Sequence, residues 1–227
     1  SKLYTPMFSF DRGKWIVNFG QRSFKYTPPT GFKSLCTQNL DDFATDNNPS
    51  KYFDVLTWTG DGSASRAITG LGFQPDLSWL KRRNSALDHF IWDAVRGVTK
   101  ELYTNQNYAE GTATNKLASF DSGGITVKDN SAVNADGDTY VGWFWDAGTS
   151  AATASTDGSI TPSAQWVNTA AGFSISKYTG TGANATIGHA LGAKPHMYIV
   201  KRLNSAADWR VYHQSLGNAK AGILQSH

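Results

Sequence analysis

Cysteine is nearly absent from this chain of 227 residues, where Cys36 stands alone. One thiol excludes an intrachain disulfide framework and any metal site built on several cysteines, and it leaves Cys36 as a small apolar filler. Charge of either sign is not in excess. Twenty-one Lys and Arg against eighteen Asp and Glu give +3, too little to mark a nucleic-acid partner. Long hydrophobic runs are also missing. Nothing approaches the roughly 18 consecutive apolar residues of a membrane span, and no basic-then-apolar leader opens the sequence, so no membrane insertion is expected.

Glycine and aromatic side chains are plentiful instead: 22 Gly, with 12 Phe, 9 Tyr and 8 Trp. They divide the chain into short apolar runs at 14–19, 53–59, 77–82, 140–145, 173–178 and 197–201. Length, β-branching and aromatic content predict strands there. Between them, Gly60-Asp61-Gly62, Ser122-Gly123-Gly124, Asp136-Gly137-Asp138 and Gly180-Thr181-Gly182 supply the positive φ of tight turns. Hairpins and antiparallel sheets follow.

The chain also repeats itself. At a constant offset of 120, residues 53–107 and 173–227 are identical at fifteen of fifty-five positions without a gap. WTGDGSASRAITGLGFQPDLSWLKRRNSALDHFIWD from Trp58 answers to YTGTGANATIGHALGAKPHMYIVKRLNSAADWRVYH from Tyr178. Serial units are expected over one enlarged core. In the first copy Ile91, Ala94, Val95, Val98 and Leu102 fall at helical spacing, but the second has Val211, Gln214, Ser215, Asn218 and Gly222 there. A strand and then a turn at Gly97 and Gly217 is the reading, with a short helix as the alternative.

Composition then sets the boundaries. Four segments are expected: 1–42 as the end of an upstream unit, 50–149 as a complete β-sandwich, 150–168 as a small, polar linker, and 171–227 as a second sandwich cut short. The second copy lacks a counterpart of the 140–145 strand, so an unpaired sheet edge is expected there. The chain accordingly reads as an interior stretch of a longer protein.

Motifs that carry chemistry elsewhere have simpler readings here. Gly60-x-Gly62 and Gly180-x-Gly182 are hairpin turns, because a dinucleotide fingerprint needs a helix opening at its glycines. Asp136, Asp138 and Asn134 offer hard oxygens to calcium but lack the spacing and closing carboxylate of an EF-hand, so a turn is expected. His89, His189, His196, His213 and His227 include no pair at metal-ligand spacing. Asp88, Asp93, Glu101 and Glu110 are the carboxylates from which a glycosidase pair would come, and only Asp88 is matched, by Asp208. No catalytic, cofactor or metal residue is assigned.

The densest repeated polar phrase is Lys81-Arg82-x-Asn84-Ser85-Ala86-x-Asp88, recurring from Lys201 to Asp208. Structurally it ends a strand and builds a turn; functionally its Arg would fork onto an acidic sugar or a neighbouring subunit. Trp58, Trp79, Trp92, Trp143, Trp145, Trp166 and Trp209 are expected mostly in cores, with some available to stack on sugars.

WIVNFGQRSFKYTPPTGFKSLCTQNL from Trp15 resembles the C-terminal end of SPRY-type domains, concanavalin A-like β-sandwiches of tailed-bacteriophage virion proteins. SKYFDVLTWTGDG, ITGLGFQPDLSWLKRRN, VRGVTKEL, SFDSGGITV and NADGDTYVGWFWDAGT are similar to the domain that follows in those proteins, and AGFSISKYTGTGANATIGHALGAKP opens a second copy. The resemblance implies tandem lectin-like, jelly-roll β-sandwiches in a virion structural or tail-fibre protein, extracellular and without cofactor or catalysis. Its partners would be other virion proteins, copies of itself as a homotrimer, and a host-surface glycan. Two other classes stay open: a free carbohydrate-binding module or bacterial adhesin, and a glycan-degrading tailspike.

Overall fold

The computed structural model describes residues 48–150, 154–217 and 220–224. The chain divides into Ser1–Asn48 and Pro49–His227, and apart from Asn48 the described residues belong to the second part. The strand expected at 14–19, Cys36, and the rest of the 1–42 segment lie outside the described residues.

The described residues of Pro49–His227 are all-β. A short 3-10 turn, Pro49–Lys51, leads into β1 (Phe53–Thr59), β2 (Arg66–Thr69), β3 (Leu77–Arg82), β4 (Phe90–Asp93) and β5 (Lys100–Tyr103). Then come β6 (Gly111–Thr112), β7 (Leu117–Asp121), β8 (Gly124–Val127), β9 (Thr139–Trp145) and β10 (Thr149–Ser150). The remainder holds β11 (Ala164–Asn168), β12 (Phe173–Lys177), β13 (Met197–Val200), β14 (Arg210–His213) and β15 (Gly222–Ile223). Every ladder between these strands is antiparallel.

The first copy is a sandwich. A six-stranded sheet in the order β1-β9-β3-β4-β5-β6 forms one layer, and the three-stranded β2-β8-β7 sheet supplies the other. Their facing side chains, Trp58, Ile68, Leu80, Phe90, Trp92, Leu117, Ile125, Val127, Tyr140 and Phe144 among them, share one core. Strand periodicity explains the selection: on β9 the even residues Tyr140, Gly142 and Phe144 are buried while Val141, Trp143 and Trp145 face outward. Gly142 is required by close approach, since a Cβ there would lie 2.8 Å from Leu80 Cδ2.

The offset of 120 survives as geometry. β12 matches β1, β13 matches β3, β14 matches β4 and β15 matches β5. Single hydrogen bonds recur as well. Ala94 N–H donates to Asp76 O at 2.7 Å and Gln214 N–H to His196 O at 2.8 Å; Thr104 N–H donates to His89 O at 3.2 Å and Leu224 N–H to Trp209 O at 3.4 Å. Gly97 and Gly217 both turn the chain at positive φ, 89° and 72°. The strand-then-turn reading therefore holds in both copies, with a 3-10 turn at Gln214–Leu216 in the second.

Two features depart from expectation. The 150–168 stretch, expected as a linker, closes with β11, which sits between β10 and β12 in a sheet of its own. Small polar composition hid this strand because its apolar content is confined to Trp166 and Val167 beside Ala164. The second departure is that the two copies touch. Glu110 N–H donates to Leu203 O at 2.8 Å, Ala207 N–H to Asn107 O at 2.9 Å, and the Trp209 indole N–H to Tyr103 O at 2.8 Å.

Candidate functional site

β1, β9, β3 and β4 lie side by side, so their odd-numbered residues line up across the outer face of the six-stranded sheet. Val55, Trp143, Trp79 and Ile91 form one such row, each the register partner of the next. Phe53, Trp145 and Leu77 form the row beside it. Trp79 and Trp143 approach at 5.9 Å between ring centroids and Phe53 and Trp145 at 4.8 Å. These tryptophans are only partly buried, unlike Trp58, Trp92 and Trp209. Most of the seven were expected in cores; three are there, because both faces of β9 are apolar and only one meets the second sheet.

The row is held still by polar contacts at its margin. Trp79 Nε1–H donates to His89 Nδ1 at 3.2 Å, and His89 is held below the usual imidazole pKa by burial and then by neighbouring Lys81. A neutral His89 accepting from Trp79 fixes that indole plane. Lys81 follows Trp79 on the same face and belongs to the repeated polar phrase.

That phrase is consumed by the fold. Lys81 Nζ donates to Arg82 O and, at 2.8 Å, to Ser85 O. Arg82 reaches Asn84 Oδ1 at 3.2 Å and pairs with Asp138 at 2.5 Å, and Asn84 Nδ2 donates to the same carboxylate at 3.0 Å. Asp88 accepts from Asn105 at 2.8 Å and Gln106 at 3.1 Å. In the second copy Lys201 donates to Arg202 O at 2.8 Å and Arg202 to Asn204 at 3.4 Å, repeating the internal pattern. The contacts of Lys81 with Arg82 O and Ser85 O and of Arg82 with Asn84 lie within the turn itself, whereas Asp138, Asn105 and Gln106 are partners from outside the phrase.

The remaining carboxylates are matched likewise. Asp93 and Glu110 share the buried Arg96, at 2.6 and 3.4 Å, and Arg96 also donates to Lys100 O and Ile91 O. Glu101 takes Lys116 at 2.8 Å and the Tyr103 hydroxyl at 2.8 Å, while Lys116 lies 4.0 Å over the Phe90 ring. Burial, then Glu101, push the Tyr103 phenol up. Asn134 and the Asp136–Asp138 turn are not assembled into an oxygen cage: Asn134 is spent on Asp61, Ser63 O and Arg66. Ser63 and Asn134 hold the Asp61 carboxyl down to about 2.

His189 and His213 accept from the amides of Leu191 and Ser215, and His227 lies outside the described residues. Among the described residues no group of three metal-ligating side chains converges. Sequence reasoning missed Asp76, buried at the start of β3, whose Oδ2 accepts the Ala147 N–H at 2.9 Å. Burial and the adjacent Asp146 charge raise its pKa to about 6. The second copy has His196 at this position, so the repeat carried no signal for it.

The family model described as Domain of unknown function (DUF7483) matches residues 48–226. The chain belongs to this family. The DUF7483 match runs through both copies of the repeat and coincides closely with the unit Pro49–His227. No curated protein and no solved structure matches the chain.

Proposed function

We propose that this chain is a non-enzymatic component of a phage particle, a tail-fibre element that holds tandem β-units in series and contributes to attachment to a host-surface glycan. The observation that carries the glycan part is the Trp79–Trp143 row on the outer sheet face. Sugar rings present flat faces of C–H groups, and adjoining indoles held by a sheet offer matching apolar area with a negatively polarised π-face. The scaffolding part is supported by the repeated polar phrase, whose charged groups are spent on turns and strand ends in both copies.

The phage assignment rests on the resemblance of the sequence phrases given above. A homotrimer and contacts with other virion proteins are part of this reading. A multimeric fibre would multiply a weak sugar site by avidity without a tight single site.

Glycan-array binding of the full chain, compared with its Trp79→Ala and Trp143→Ala variants, tests the site. Saturable binding lost in both variants is expected, with folding checked by circular dichroism. Mass spectrometry of purified virions tests the location. Release of reducing ends from host polysaccharide would replace this reading with that of a tailspike hydrolase, and glycan binding by a chain absent from virions would replace it with a free adhesin.

A further inference from the structure

The repeat separates side chains that build the scaffold from side chains left over. Arg82 and Asn84 recur as Arg202 and Asn204 and make the same contact in each copy. Two neighbouring positions differ: Trp79 is answered by Ile199 and Arg83 by Leu203. Arg83 continues β3 by one residue, because its N–H donates to Thr139 O at 2.7 Å. Strand parity therefore puts its side chain on the outer face of the six-stranded sheet, with Trp79 and Lys81. Arg82, on the opposite face, is paired with Asp138. Arg83 is exposed, and among the described residues its guanidinium has no hydrogen bond or ion pair.

Register places Arg83 in line with the tryptophan pair. Thr57, Val141 and Lys81 form the row next to Trp143 and Trp79, and Thr59, Thr139 and Arg83 form the row after it. Four residues of strand put the Cα atoms of Trp79 and Arg83 about 13 Å apart, a span that an extended oligosaccharide covers. These rows carry the cations Lys81 and Arg83, the exposed hydroxyls of Thr57 and Thr59, and no carboxylate. Lys81 spends its ammonium on Arg82 O and Ser85 O, adding positive potential without reaching outward. At that end Asp61 and Asp138 are matched by Arg66 at 3.4 Å and Arg82 at 2.5 Å, and Asp136 lies by Gly62 past the end of β1. The outer face thus runs from an apolar end to a cationic end.

We propose that this face selects an acidic glycan: one pyranose ring stacks on Trp79 and Trp143, and the carboxylate of a hexuronate further along the sugar chain is taken by the Arg83 guanidinium. A carboxylate accepts two parallel N–H bonds from that planar fork, which neither an ammonium nor a neutral side chain offers. Acidic selectivity of this kind rests on the sugar reading above, adding the charge of the ligand and the residue that reads it. It belongs to the first copy, since Leu203 has no fork and its carbonyl accepts from Glu110 instead.

The test is an array of neutral and hexuronate-containing oligosaccharides probed with the full chain and its Trp79→Ala, Arg83→Gln and Arg83→Lys variants. The best hexuronate binder is then titrated beside the same oligosaccharide with its carboxyl groups reduced to alcohols. Hexuronate members are expected to lead the array, and carboxyl reduction and Arg83→Gln each to weaken binding about fivefold, the upper scale of an exposed charge pair. Together the two losses should not add, because they remove the two halves of one contact. Arg83→Lys should recover only part of the affinity. Neutral glycans leading the array, or hexuronate binding indifferent to Arg83→Gln, would overturn the acidic selectivity and leave the sugar site standing as long as Trp79→Ala abolishes binding. Binding untouched by Trp79→Ala, or no binding to any member, would overturn the sugar site and the selectivity with it.

Discussion

The two copies of the repeat share strands, turns and even single hydrogen bonds, yet they are buried very differently. Leu80 is 0% exposed and its counterpart Val200 is 37% exposed; Ser78 is 0% exposed and Tyr198 is 51% exposed. The difference comes from elements that the 55-position alignment does not contain. β7, β8 and β9 close the first copy from above and from the side, and nothing among the described residues does so for β13–β15. Local sequence specifies strand and turn, whereas burial belongs to whatever packs on the strand afterwards.

The comparison breaks most sharply at the buried ion cluster. Arg96→Ala leaves the buried Asp93 and the partly exposed Glu110 without their shared cation and is expected to cost about 3–5 kcal/mol in denaturant unfolding. Arg210→Ala, removing an exposed pair with Asp208 at 3.5 Å, is expected to stay within about 1 kcal/mol. Core truncation comes next: Leu80→Ala should cost about 2–5 kcal/mol, while Val200→Ala should cost under about 1 kcal/mol. Equal losses at Leu80 and Val200 would mean that the second copy is as closed as the first.

Asp76 gives a smaller and pH-dependent difference. Its folded pKa, about 6, lies above the ordinary aspartate value of 3.8, so the folded state holds the extra proton in that window. Stability from this group is therefore greatest below pH 3.8 and is lost as pH rises through 6, by at most about 3 kcal/mol. Asp76→Asn should flatten the unfolding free energy between pH 4 and pH 7 relative to the parent. A parent protein whose stability rises over the same window after Asp61 and the exposed carboxylates are accounted for would contradict the assignment.

The bounds of β1 and β3 were legible to the residue because alternating apolar runs there end at glycine turns or at the Arg82-Arg83-Asn84 stop. β11 was not legible, since one Trp and one Val in a small polar neighbourhood give no period. The outer tryptophan row was hidden for a different reason. Tyr140, Gly142 and Phe144 and then Val141, Trp143 and Trp145 are two apolar faces, and alternation alone does not say which one meets the second sheet. Asp76 was invisible because its raised pKa comes from burial and then from the charge of Asp146, seventy residues downstream.

Residue-resolved amide hydrogen exchange on the chain alone tests the contrast between the copies most directly. At Trp79 and Lys81, whose amides face β9, exchange should require global unfolding and be slow. Their counterparts Ile199 and Lys201 should exchange several orders of magnitude faster, close to the rate of an open strand edge. Equal protection at the two pairs would contradict an open second copy.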